Sequence, residues 1–323
     1  MIGQFTYVKA KSIDDAVKQL GTPNSTVLAG GTDLLGCLRD EVLEAGKVVS
    51  ISGLKELHGI SAGPNGGLRI GALTTIAEVA AAETIRSKYA VLAQAAGEIA
   101  SPQLRNQGTI GGNLCQRPRC WYFRGDFHCA KKGGDMCYAE GGENMFHCIF
   151  GGDPCYIVYP SDSAPALCAL NAGVRIAGPG GTRTLAVDKF HQLPGVDIEK
   201  ENVLQRNEIV TEVLLPAPPP GLKSAYRKVR ARQAWDFALT STAIALTMDG
   251  GTVKQARIFL GGVAPVPWRA EAAEAALKGK KLDKATILAA AEAAVQGARP
   301  LEANAYKVDL VKGTLTEQLA SLA

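Results

Sequence analysis

No run of about eighteen uninterrupted apolar residues occurs in this sequence, so no membrane-crossing helix is expected. The opening MIGQFTYVKAKSIDD has no apolar stretch behind a basic end, so no targeting segment is expected either. Charge of one sign is scarce too. Lys and Arg number 35 against 31 Asp and Glu, and a net +4 is too small and too evenly spread to predict a nucleic-acid partner. No GxGxxG opens a helix and no GxxxxGK[ST] occurs, which removes a Rossmann nicotinamide site and a P-loop. No Ser-His-Asp or Cys-His nucleophile arrangement is legible, which disfavours a hydrolase. What remains is ordinary globular usage, 46% apolar and 20% charged, over 323 residues, more than one core usually serves. Two or three compact units are expected.

Cysteine is unevenly spread. Cys115, Cys120, Cys129, Cys137, Cys148, Cys155 and Cys168 crowd one window, and only Cys37 lies outside it. Local clustering points to a metal site or local bridges, in a reduced compartment, rather than a disulfide framework. The C-x-x-C pair that commonly announces structural zinc is missing. An iron–sulfur cube can instead collect thiolates from separate turns of a wrapping loop. Spacing leaves cluster, zinc and plain structural cysteine open. Cys37 and Cys168 sit among apolar helical positions and read as inert. Cys115 and Cys148 read as core or ligand, and His128 and His147, each preceding a cysteine, as hydrogen-bonding groups sooner than ligands, with both kept as candidates.

The first sixty residues alternate strand and helix. Ser12 and Asp15 form a capping-box-like start, and Ile13, Ala16, Val17 and Leu20 share one helical face. TVLA (26–29) runs into Gly30-Gly31-Thr32-Asp33 and a helix that Asp33 would cap. VVSIS (48–52) and LRIGA (68–72) read as strands, and Thr75 to Ala100 as an Ala-rich helical stretch. SPQLRNQGTIGGNL (101–114) reads as a structured loop, and 115–155 as an irregular insertion that nine aromatics between Trp121 and Tyr159 argue against being disordered. A short helix, a hairpin and a strand (208–216) follow. Pro216, Pro218, Pro219, Pro220 and Gly221 mark a linker, and strands then Ala-rich helices complete a second domain.

The glycine turns at 30–33 and 108–113 are either tight turns or places where backbone N–H groups crowd a phosphate, with Thr32, Thr109 and Asn113 as side-chain donors. Lys228, Arg230, Arg232 and Asp236 form either a solvated strand edge or the wall of a pocket between domains.

Five ordered motifs carry a resemblance over nearly the whole chain. LAGGTDLL (28–35), LRNQGTIGGNL (104–114), PSDSAPAL (160–167), YRKVRARQAWDFAL (226–239) and GGVAPVPWRAEAAEAAL (261–277) resemble the FAD-binding medium subunits of the molybdenum hydroxylases, the xanthine dehydrogenase and aldehyde oxidoreductase family. The cysteine insertion is similar to the narrower set, the bacterial aldehyde oxidoreductases and 4-hydroxybenzoyl-CoA reductases, whose loop holds a [4Fe–4S] cluster. RCWYF (119–123) and CYIVYPSD (155–162) lean to the aldehyde enzymes.

The resemblance implies an α+β fold: a two-part FAD-binding domain of the vanillyl-alcohol-oxidase type (1–60 and 61–216), with the cluster insertion at 115–158, then an α+β flavoprotein domain of sheet plus helices (222–323). It implies that Ala29, Gly30, Gly31, Thr32, Asp33 and Leu34, with Thr109, Gly111, Gly112 and Asn113, wrap the FAD pyrophosphate, and that Arg105 is a further cofactor contact. It places Ser161 and Asp162 near the ribose and phosphate, has Lys228 and Asp236 reach the flavin, and makes Cys120, Cys129, Cys137 and Cys155 the cluster ligands, with Cys115 a spare. No catalytic residue is expected in this chain. The implied partners are a small subunit with [2Fe–2S] clusters, a large subunit with a molybdopterin cofactor, and an external electron acceptor.

The expected role is electron relay through FAD and [4Fe–4S] in a heterotrimer acting on aldehydes or aromatic substrates. Alternatives are a subunit of the benzoyl-CoA reductase type feeding electrons inward, a flavoprotein oxidase acting alone, and a flavin-free binding scaffold held by zinc or disulfides. A cytoplasmic location is expected, or a periplasmic one by co-export with a signal-bearing partner.

Overall fold

The computed structural model describes residues 2–323. Three sheets organise it. The first is parallel, with β3 (Lys47–Ser50) between β1 (Thr6–Lys9) and β2 (Ser25–Leu28). Helix α1 (Ile13–Leu20) connects β1 to β2; the Ser12 hydroxyl accepts from the Asp15 amide at its start, and Ala16, Val17 and Leu20 are buried as the apolar spacing requires. Helix α2 (Leu34–Arg39) follows β2 after the turn at 29–33.

The second sheet is antiparallel, order β4–β5–β8–β6–β7, from β4 (Ile60–Ala62), β5 (Leu68–Gly71), β6 (Gly173–Gly178), β7 (Gly181–Ala186) and β8 (Ile209–Leu215). After β5 the expected helical stretch breaks into α3 (Ile76–Ala81), α4 (Glu83–Lys88) and α5 (Ala90–Gly97). Ala82 is extended, and Tyr89 leaves helical geometry so that its ring is buried and its hydroxyl donates to the Pro216 carbonyl at 2.8 Å. The segment 101–114, expected as a loop, forms α6 (Pro102–Gln107) and α7 (Ile110–Leu114). Ser101 and Thr109 cap these helices by accepting from the Leu104 and Gly112 amides, and Pro102 fits a first turn. Neither is long enough for its apolar residues to show a period.

From 115 to 158 the only regular pieces are α8 (Trp121–Arg124) and a single 3-10 turn at Ala130–Lys132, as the missing periodicity predicts. Helix α9 (Ser163–Ala169) is buried along its whole length. The third sheet, β9 (Leu222–Val229), β10 (Thr240–Asp249), β11 (Thr252–Gly261) and β12 (Trp268–Arg269), is antiparallel and backed by α10 (Glu271–Leu277), α11 (Lys284–Ala294) and α12 (Tyr306–Ser321). Together these elements make the α+β fold that was expected.

The cores cross the linker. Ile70 and Val213 of the second sheet share one apolar cluster with α5, α9 and Tyr226, Ala243 and Phe259 of the third. Ile149 and Phe150, from the end of the cysteine segment, lie in the core under α10–α12, with the Phe150 ring stacked 5.0 Å from that of Trp268. Polar groups are held here as well. Lys228 donates to Asp162 at 2.7 Å, their side chains are 1% and 6% exposed, and the Tyr226 hydroxyl donates to the other Asp162 oxygen at 2.7 Å. Among the described residues no helix is long and apolar enough to cross a membrane.

Two outcomes follow from this packing. Lys228→Met leaves the Asp162 carboxylate buried against one hydroxyl, so urea unfolding should show a loss of about 3–5 kcal/mol, and adding Asp162→Asn should recover much of it. His191 is buried against Tyr159 and Phe190, and burial pushes its pKa down to about 4. The folded state thus resists the proton that the unfolded chain takes up below pH about 6.5. Stability is complete above that pH and falls by at most about 1.4 kcal/mol per unit as the pH drops toward 4. His191→Gln should flatten that slope in denaturation curves measured between pH 7 and 5.

Candidate functional site

A groove of about 510 Å³ runs where the three parts meet. Thr32 and Asp33 line it from the first unit, Gly108, Thr109, Gly112, Asn113 and Asp162 from the second, and Lys228 and Asp236 from the third. At its edge the amides of Gly30, Gly31, Thr32 and Asp33 donate to no protein acceptor among the described residues. Consecutive free N–H groups in a turn with one left-handed residue, here Gly31 at φ +73°, form a concavity suited to an anion. That orphaned donor set fits a dinucleotide diphosphate.

Two of the glycines are also required by close packing. A Cβ on Gly30 would sit 2.0 Å from the Gln107 carbonyl oxygen, and one on Gly111 would sit 2.9 Å from the Ala72 side chain. Gly30 lets the turn after β2 touch the α6–α7 corner, and Gly111 lets α7 pack on the chain just after β5. Asn113 and Ser161 are also committed inside the protein: the Asn113 side-chain oxygen accepts from the Ser161 hydroxyl at 2.6 Å and from Ser163, and the Ala164 amide donates to Ser161. Thr109 is occupied as the cap of α7.

Asp33 does not cap α2 through its side chain, contrary to expectation. Its carboxylate accepts from Arg119 at 2.8 Å, from Arg124 at 2.9 Å and from the Arg117 amide at 2.7 Å. Charged donors from the cysteine segment outcompete the local amides, because ionic hydrogen bonds are the stronger ones. Arg105 lies outside the groove, its guanidinium donating to the Ile99 carbonyl at 2.8 Å. Ala29, Gly30, Gly31 and Leu34 are half-buried beside the groove wall, and Gly111 is buried behind it. Asp162 and Lys228 do reach it, but as a neutralised pair.

At its inner end the groove meets a cavity of about 170 Å³ that shares Arg119, Pro160, Asp162, Asp236 and Phe237 with it. This cavity is lined further by Ser161, Trp121, Phe146, Cys120 and His147. Behind Cys120 and His147 lies a third, small cavity, and Cys120, Cys129, Cys137 and Cys155 all line it, with Tyr122, Phe123, Tyr138 and Lys131. Cys148 and Cys115 are not in its wall. Cys148 is buried, its amide donating to the Tyr156 carbonyl at 3.0 Å. Cys37 and Cys168 are buried at a distance, as inert thiols should be. No two of the eight cysteines are bonded, and among the described residues no three His, Cys, Asp or Glu side chains converge on a single metal-ion position.

The thiols are perturbed. Burial pushes Cys120 up to about 11 and Cys148 up to about 12. Cys137 lies below the ordinary thiol range, at about 6, because the Cys155 thiol donates to it, and Cys155 is raised correspondingly. Buried thiols facing one another resist losing all their protons unless a positive centre compensates, and metal ligation does that. The donor chemistry therefore fits an iron–sulfur group. His147, whose Nε2 stands 3.2 Å from Cys120 Sγ, is pushed down to about 4 by burial and by the charge of Lys307.

Arg119, Arg124, Trp235 and Phe237 also line the groove and escaped the sequence reading. For the two arginines the available signal was the basic run flanking Cys120, which without coordinates cannot be told from a solvated patch; Trp235 and Phe237 lie within YRKVRARQAWDFAL (226–239). Likewise Glu201, which grips Arg117 at 2.8 Å and Lys131 at 2.6 Å, lies far from them in sequence.

Residues 3–218 match the family described as FAD binding domain in molybdopterin dehydrogenase, and residues 224–322 match the CO dehydrogenase flavoprotein C-terminal domain. The chain is 38% identical to the aldehyde oxidoreductase FAD-binding subunit PaoB of Escherichia coli K12, over 98% of this chain and 97% of that one. It is 30% identical to the carbon monoxide dehydrogenase medium chain of Hydrogenophaga pseudoflava, over 93% and 88% respectively. Its fold is similar to that of a chain in the CO dehydrogenase structure from Oligotropha carboxidovorans, with TM-score 0.79, 26% identity and full coverage of both chains. From the groove and its fold to these matches over nearly every residue, the chain belongs to the FAD-binding medium subunits of the molybdenum hydroxylases, a family of oxidoreductases.

Proposed function

We propose that this chain is the FAD and [4Fe–4S] electron-transfer subunit of a heterotrimeric molybdenum-dependent oxidoreductase of the aldehyde type. In this reading it relays electrons between a [2Fe–2S] small subunit, itself served by a molybdopterin large subunit, and an external acceptor. The observation that carries it is the continuity of the groove with the cavity that four cysteines share, through Cys120 and His147. The 38% identity to an aldehyde oxidoreductase subunit supports the substrate class.

Residues 1–60 and 61–216 act here as the two parts of the FAD-binding domain, and 222–323 as the flavoprotein domain. The free amides of Gly30 to Asp33 hold the diphosphate, and the joined groove and cavity fall in the size range of cofactor sites. Arg119, oriented by Asp33, sets a positive charge where the groove narrows. FAD when bound exchanges electrons in pairs or singly, and the chain's part is to position it and exclude water. Cys120, Cys129, Cys137 and Cys155 hold the cluster, and the rings of Tyr122, Phe123 and Tyr138 shield it from solvent.

The purified complex should show a flavin spectrum and roughly four iron atoms beyond those of the [2Fe–2S] subunit; flavin without that iron would remove the cluster. Cys155→Ser should lose the extra iron, whereas Cys148→Ala should keep it, because only Cys155 faces the shared cavity. Gly30→Ala drives its Cβ into Gln107, so flavin content should fall well below one per complex while the extra iron stays. Gly53→Ala, where a Cβ meets nothing within 4 Å, should leave both unchanged.

A further inference from the structure

Among the described residues, only Cys120 and His147 face both the thiol cavity and the cavity at the inner end of the groove. The two touch, with His147 Nε2 at 3.2 Å from Cys120 Sγ. A thiolate bound to iron has no hydrogen to give, so Nε2 must be the donor whenever Cys120 serves as a ligand. The other ring nitrogen, Nδ1, is buried and finds no hydrogen-bond partner among the described residues. Sulfur is therefore what this imidazole binds.

The placement of the ring is over-determined. The main-chain carbonyls around it are gripped by the start of α12 and the turn before it. Asn304 donates to the carbonyls of His147 at 3.2 Å and Cys148 at 3.1 Å, Tyr306 to that of Met145 at 3.0 Å, and Lys307 to that of Phe146 at 3.0 Å. Lys307 also donates to the Gly262 carbonyl at 2.7 Å, and the Asn144 side chain accepts from the Ala303 amide at 2.9 Å. The ring itself packs against Trp121 at 5.8 Å and Tyr122 at 6.0 Å between centroids. Such a clamp fixes the direction of the N–H, which simple space-filling would not require.

We propose that His147 is a positioning residue of the iron–sulfur site, and that its Nε2–H donated to Cys120 Sγ raises the reduction potential of the cluster. The reduced cube carries one more negative charge, and a donor aimed at a ligand sulfur stabilises that state more than the oxidised one. The C-terminal domain thereby sets, through α12, how readily the cluster accepts an electron from the flavin side. This inference rests on the reading that Cys120, Cys129, Cys137 and Cys155 ligate the cube.

The test is a reductive titration of the whole complex, following the low-temperature EPR signal of the cluster in wild type, His147→Phe and His147→Gln. At the wild-type midpoint, His147→Phe should show a reduced-to-oxidised ratio about tenfold lower, 59 mV for a one-electron couple, with its iron retained. His147→Gln, whose amide can donate to the same sulfur, should recover most of the shift. An unchanged potential in His147→Phe would overturn the inference, and so would loss of iron from both variants, which would make the ring merely structural. A wild-type complex lacking the cluster signal would instead sink the ligand reading itself.

Discussion

The Asp33 carboxylate ties the two halves of the site together. It belongs to the glycine turn that edges the groove, and besides the Cys37 thiol of α2 its partners come from the cysteine segment: Arg119, Arg124 and the Arg117 amide. One acidic group thus fixes the distance between the orphaned amides of the turn and the thiols beginning at Cys120. The same carboxylate holds two guanidiniums close together, which without it would repel. The geometry in which a groove for a long anionic cofactor ends beside a sulfur-lined pouch depends on that arrangement.

The segment around those thiols has no sheet and little core of its own, so its position is decided by anchors on every side. Asp33 holds its start. Glu201, buried with Lys131 and Arg117, holds its middle, and Lys131 adds a bond to the Ile198 carbonyl at 2.8 Å. Asn304, Tyr306 and Lys307 hold the carbonyls near its end, and Ile149 and Phe150 enter the core of the C-terminal part. Irregular backbone can stay buried only where its polar groups are satisfied. Here that requirement is met by side chains reaching in from all three parts of the chain, and it makes the pouch a product of the whole fold.

A second consequence concerns what the residues of a binding motif are for. Gly111, Asn113, Ser161 and Thr109 all occur in motifs that resemble cofactor-binding segments, yet in the structure they are engaged with one another or packed on neighbouring backbone. Much of such a motif shapes the walls. The surfaces left for a ligand are the free amides of the turn, the exposed Thr32 and Gly112, and cations such as Arg119.

Local signals read correctly where a segment was long enough to show a period, and missed the short capped helices α6 and α7. The face of α1, the strands of the first unit and the absence of periodicity through the cysteine segment each follow from neighbouring residues alone. What local signals could not reach was the identity of partners distant in sequence. Asp33 reads as a helix cap until an arginine from 91 positions away claims it, and Arg105 reads as a ligand contact until it turns to Ile99. Cys148 and Cys155 are equivalent as letters, and only the path of the chain turns one into a cavity wall and the other into core. Residue type and spacing carry short-range geometry, whereas competition among charges and the closing of a pocket are settled only when remote segments are brought within a few ångströms of each other.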